Sequence, residues 1–145
     1  LFGLLGVVIG GLITAGSNYL LDRRREFATR QSDERSQAVE IKRAARLIDV
    51  EILRAAAAVK IVLESRRWPN ASLTTDAFKK YGGLLAPVLP YQDWLTLVKA
   101  VLAIDSVEWK ELTQSGISDD LADAITPVSD DLMAAVNVLN RWCDR

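Results

Sequence analysis

The sequence predicts an all-α protein: an N-terminal transmembrane helix, a long helical stalk, and an antiparallel bundle of about four helices. Three observations lead there. Residues 1–21 carry no charged side chain, and eleven of them are Leu, Ile, Val or Phe. Residues 22–67 then run for 46 positions without a Pro or Gly. Beyond them, apolar residues recur at helical spacing, with no useful length of strand-like alternation.

Taken in order, the elements begin with residues 1–21 as a transmembrane anchor, because about 20 apolar residues cross a hydrocarbon core roughly 30 Å thick. Eleven strong hydrophobes favour insertion by roughly 3–7 kcal/mol, a modest margin that leaves room for helix partners. Gly6 and Gly10 form a small-x-x-x-small pair, and Gly11 and Ala15 repeat it one position round, so a second membrane helix can approach closely. Arg23, Arg24 and Arg25 follow at once. They predict contact with anionic lipid, at ~1 kcal/mol per charge near the surface. The positive flank also predicts a single pass of the bacterial inner (plasma) membrane with the C-terminal domain cytoplasmic. The chain starts at Leu1, which fits a trimmed product. Ala15-Gly16-Ser17 resembles a signal cleavage site, but no basic region precedes the apolar run, so an anchor is the expectation.

Residues 22–37 form a polar juxtamembrane stalk. Between Arg23 and Gln37 only Phe27 and Ala28 are apolar, so the segment buries no face and is expected to lean on pairs such as Glu26 with Arg30. Residues 38–145 form the cytosolic bundle. Its first helix carries a seam of Ala38, Ile41, Ala45, Ile48, Ile52, Ala55, Val59 and Val62 in alternating steps of three and four. A second stripe through Ala44, Leu47, Ala58 and Ile61 widens the face and predicts packing against the chain's own later helices. A parallel homodimeric coil is the competing use of the seam.

Trp68-Pro69 ends that helix. Thr74 or Thr75 with Asp76 caps a short helix to about Leu85, weakened by Gly82-Gly83. Pro90 serves as a first-turn residue of the next helix, which continues through Trp109 and Leu112 to near Gly116. Ser118 with Asp119 and Asp120 opens the last, which Pro127 kinks or restarts.

Charge and composition exclude several functions. Net charge is −1, but residues 22–67 hold twelve Lys or Arg against eight Asp or Glu, and residues 68–145 hold six against eleven. Acidic residues dilute the arginine-rich stretch and no aromatic platform accompanies it, so nucleic acid is not the expected partner. Histidine is absent and Cys143 is the only cysteine, which rules out His-based triads and an internal disulfide framework. Asp119, Asp120, Asp123, Asp130 and Asp131 lack the spacing of a calcium loop and read as capping and solubility. Trp68, Trp94, Trp109 and Trp142 read as core or bundle-rim residues. No cofactor, metal site or catalytic constellation is expected.

The join of the glycine-bearing apolar segment to Leu20-Leu21-Asp22-Arg23-Arg24-Arg25-Glu26, and Pro90-Tyr91-Gln92-Asp93-Trp94 before a Leu-Val-Ala helix, resembles a loose group of uncharacterised bacterial and prophage single-pass membrane proteins. The resemblance implies location and shape and carries over no functional residue. The expected function is a membrane-anchored, non-enzymatic interaction or scaffold protein that binds membrane lipid and either a protein partner or itself. An oligomerising membrane-active protein of phage lysis or exclusion type, with Gly6 and Gly10 at its interface, is the alternative.

Overall fold

The computed structural model describes residues 2–69, 71–107 and 117–144, with side chains from Leu21 onward. Helices α1 (Phe2–Ser65), α2 (Asp76–Leu85), α3 (Tyr91–Ser106) and α4 (Asp119–Cys143) follow one another, with no strand among the described residues. The chain divides into two compact units, Leu1–Val39 and Glu40–Arg145.

In the first unit, every described side chain from Leu21 to Val39 is exposed, Phe27 at 74% among them. A helix with no buried face is held by its backbone ladder and local side-chain bonds. Thr29 donates to the Arg25 carbonyl at 2.8 Å. The expected Glu26–Arg30 ion pair does not form. Among the described residues no helix is long and apolar enough to cross a membrane. The expected anchor, with Gly6, Gly10, Gly11 and Ala15, lies outside the described side chains except for Leu21.

The second unit closes around one core. Ala45, Ile48, Ile52, Ala55, Val59 and Val62 of α1 pack with Leu85, with Leu97, Ala100 and Ile104 of α3, and with Ile125, Leu132, Ala135 and Leu139 of α4. Each fully buried Val, Leu or Ile contributes roughly 1.5–3 kcal/mol. Ile41 packs at the edge of this core and Ala38 is exposed. The second stripe splits: Ala44 and Ala58 are buried, while Leu47 and Ile61 remain 38% and 44% exposed. The expected widening of the face is therefore corrected, because only one edge of the apolar arc is covered.

Local chemistry sets the boundaries. α1 stops at Ser65 because Arg66 turns left-handed (φ 55°), its N–H still reaching the Val62 carbonyl at 2.9 Å. Pro90 stands just outside α3, extended at ψ 145°, rather than within its first turn. α3 ends at Ser106, earlier than its composition suggests. The Ser106 hydroxyl donates to the Ala103 carbonyl at 3.0 Å, and Val107 is extended. Trp109, Leu112 and Gly116 lie outside the described residues. Ser118 caps α4, its hydroxyl accepting from the Leu121 N–H at 3.3 Å. α4 passes through Pro127 without a break.

Candidate functional site

Within the second unit, polar side chains fasten helix ends to one another. Thr75 stands at the cap position just before α2 but makes no side-chain cap. Its hydroxyl, on a residue only 2% exposed, donates instead to Asp105 Oδ1 of α3 at 2.9 Å. Glu51 of α1 supplies the cap in its place. Its Oε1 accepts from the Ala77 N–H at 3.0 Å and the Thr74 hydroxyl at 3.1 Å, and its Oε2 accepts from the Phe78 N–H at 3.0 Å. A carboxylate meeting the free N–H groups of a helix start satisfies otherwise orphaned donors and complements the helix dipole.

A matching clamp joins α3 to α4. Asp93, in the first turn of α3, accepts from Arg141 Nη2 at 3.0 Å, and its other oxygen accepts from the Trp142 indole at 3.4 Å. Trp94 stacks on Phe78 with ring centroids 5.3 Å apart, closing α2 against α3. These contacts give Trp94 and Trp142 rim positions, and Trp68 packs against the same core. Trp109 lies outside the described residues.

Among the described residues, Asp49 and Cys143 are the two titratable groups held clearly away from their ordinary values. Asp49 Oδ1 is buried with no hydrogen-bond partner, and burial pushes its carboxyl above the ordinary value. Burial also pushes the Cys143 thiol up, and the Asp49 carboxylate adds to that, while Arg46 and Lys42 oppose it. A thiol held protonated is a weak nucleophile. Among the described residues no group of three or more His, Cys, Asp or Glu is placed to hold a metal ion.

The remaining feature is the outer face of α1. Arg43, Arg46, Val50, Leu53, Ala57 and Ile61 recur there at three- and four-residue steps, and all are exposed. Leu53 is 50% exposed and Val50 47%. Beside them a groove of about 300 Å³ is lined by Leu47, Val50, Glu51 and Arg54 of α1 and by Leu73 and Thr74 of the following loop. Branched apolar groups flanked by arginines suit a partner surface that is apolar at its centre and acidic at its rim.

Of the residues singled out in the sequence, Ala45 to Val62 of the seam lie in the core and are not free to bind. Arg23, Arg24 and Arg25 are exposed. The Glu51 cap and the exposed Val50–Leu53 edge are not apparent from local sequence. Glu51 lies 26 residues from Ala77, and an apolar arc does not announce which edge its neighbours leave open. No family model matches the chain, and no curated protein or solved structure matches it.

Proposed function

We propose that the chain is a membrane-anchored, non-enzymatic helical interaction protein, held by a single pass in the bacterial inner membrane, whose cytoplasmic bundle binds a protein partner or itself. The observation that carries this reading is the exposed Arg43–Ile61 face, where apolar side chains stand in solvent although a well-filled core lies on the other side of the same helix. The anchor rests on the uncharged run of residues 1–21 and the arginines after it. In this reading Gly6, Gly10, Gly11 and Ala15 face a neighbouring membrane helix, and Arg23, Arg24 and Arg25 meet anionic headgroups.

Membranes carrying the full chain, washed with alkaline carbonate and sedimented, test the anchor. The intact chain is expected in the pellet. Its release into the supernatant overturns the membrane half of the proposal and leaves the exposed Arg43–Ile61 face as observed.

A further inference from the structure

We propose that the exposed edge of α1 between Arg43 and Ile61, with the groove beside it, takes an amphipathic helix of another protein whose apolar stripe is bordered by carboxylates. This deepens the interaction reading above and rests on it, and it does not depend on the membrane anchor. Leu47, Val50, Leu53 and Ile61 are 38%, 47%, 50% and 44% exposed on that edge, although Ile48, Ile52, Val59 and Val62 of the same helix are wholly buried. The groove of about 300 Å³ is lined by Leu47, Val50 and Arg54 of α1 and by Leu73 and Thr74 of the following loop. Apolar groups left in water beside such a concavity mark a contact surface.

The free charge on this edge has one sign. Arg43, Arg46 and Arg54 are exposed and form no ion pair among the described residues. Between Arg43 and Ile61 the only carboxylates are Asp49 and Glu51. Glu51 commits both oxygens to the Ala77 and Phe78 N–H groups and the Thr74 hydroxyl, and Asp49 keeps its Oδ1 buried. Lys60 is already paired with Glu64 at 3.8 Å. Three guanidinium groups thus surround an apolar centre with no acid of their own to answer them, and carboxylates on a partner complement them. The same edge of a second copy would bring like charges together, which opposes association. The shape of the partner follows from the backbone. The described residues contain no strand and α1 satisfies its backbone groups internally, so no sheet edge is offered and recognition runs through side chains. Leu47, Val50, Arg54, Ala57 and Ile61 step by three or four residues along α1 as a ridge. A second helix packs against such a ridge at about 8–10 Å, and the small Ala57 lets it come close. A lipid surface meets protruding side chains first, whereas the groove is recessed between α1 and the loop.

The experiment uses the full chain in detergent and three fluorescent synthetic peptides of about 18 residues, five helical turns. The first has a leucine stripe bordered by Glu, the second the same stripe bordered by Lys, and the third the composition of the first with its leucines spread round the helix. Fluorescence polarisation is read against the wild-type chain, against Arg43→Glu with Arg46→Glu and Arg54→Glu, and against Val50→Asp with Leu53→Asp. Uptake of peptide by the detergent is common to all three chains and cancels, and substitutions at exposed positions leave the fold intact. The wild-type chain is expected to bind the Glu peptide about tenfold more tightly than the Lys peptide, and the arginine-reversed chain to invert that order. The Val50→Asp, Leu53→Asp chain and the third peptide should each weaken binding by about tenfold. The proposal is overturned if the Glu peptide does not bind, if the Glu preference survives arginine reversal, or if the third peptide binds as well as the first. It is equally overturned if phosphatidylglycerol added to the detergent displaces the Glu peptide, which assigns the edge to lipid. A mass by light scattering of twice 16.0 kDa that Val50→Asp with Leu53→Asp halves assigns it to a second copy instead. Those last two outcomes and a preference for the Lys peptide leave the edge a binding surface with a different occupant, whereas a monomer that takes none of the peptides removes the interaction reading itself. The carbonate result is independent of all of them.

Discussion

Asp49 carries an electrostatic penalty that a single amide can remove. Its Oδ1 is buried without a partner, and burial raises the carboxyl from its ordinary value of 3.8. The folded chain thus holds this proton more tightly than the unfolded chain. The stability it contributes is complete below 3.8 and is lost as pH rises through the higher folded value. Arg46, Lys42, Cys143 and Asp144 share the neighbourhood, and partial exposure screens the effect. Asp49→Asn is expected to raise stability at pH 7 by less than about 1 kcal/mol and to flatten the loss above the aspartate range. Denaturation midpoints across pH measure both, and an unchanged slope in the variant would refute the assignment. The same substitution removes one of the influences that raise the Cys143 thiol, so alkylation at fixed pH should quicken modestly, burial being the larger cause. None of this was legible from sequence, where Asp49 is one carboxylate among many and Cys143 has no visible neighbour. The proximity exists only because α4 returns antiparallel to α1.

Helix α2 shows how far an element can be read from its own residues. Its limits follow from Asp76 and from the break before it, yet Thr75 caps nothing and the start of the helix is held by Glu51 of α1. A cap supplied by another helix leaves no local signature, whereas the Ser118 cap of α4 sits beside the donor it serves and is readable. The pair Gly82-Gly83 weakens α2 by roughly 0.5–1 kcal/mol for each glycine relative to alanine. Only one of the two is free to change without cost. A Cβ at Gly83 meets nothing within 4 Å, while at Gly82 it touches the Phe78 ring at 3.4 Å. Gly83→Ala is therefore expected to stabilise the fold by about 0.5–1 kcal/mol, and Gly82→Ala by less, because Phe78 must keep its stacking on Trp94. Thermal melts of the two variants decide it, and an equal or larger gain at Gly82 would show that the ring yields freely.

At the scale of the whole chain, burial begins at Ala44, six residues after the Ala38 start of the apolar seam. Between Arg23 and Gln37 too few apolar side chains exist to bury a face, and from Leu21 to Val39 every described side chain is exposed. From Ala44 onward the seam enters the core, because α3 and α4 supply the opposing Leu, Ile and Ala side chains. Which edge of α1 stays open was not legible, since that depends on where α2 and the preceding loop settle. The two regions should differ in local opening. Backbone hydrogen bonds of a helix without a buried face open at low cost, whereas opening α1 near Ile48, Ile52 or Val59 disrupts the core. Arg23, Arg24, Arg25, Arg30 and Arg35 place five trypsin sites in the first region, while Arg54, Lys60 and Lys99 lie on helices that pack into the second. Brief trypsin treatment of the detergent-solubilised chain is thus expected to cut between Arg23 and Arg35 before it cuts at Arg54, Lys60 or Lys99, because cleavage of a transiently open segment tracks its opening equilibrium. Mass spectrometry of the early fragments reads the order. Early cleavage at Arg54 or Lys60 would mean that the α1 segment leaves the core as easily as its polar extension opens, and the exposed Arg43–Ile61 face would then not be a fixed surface for any partner.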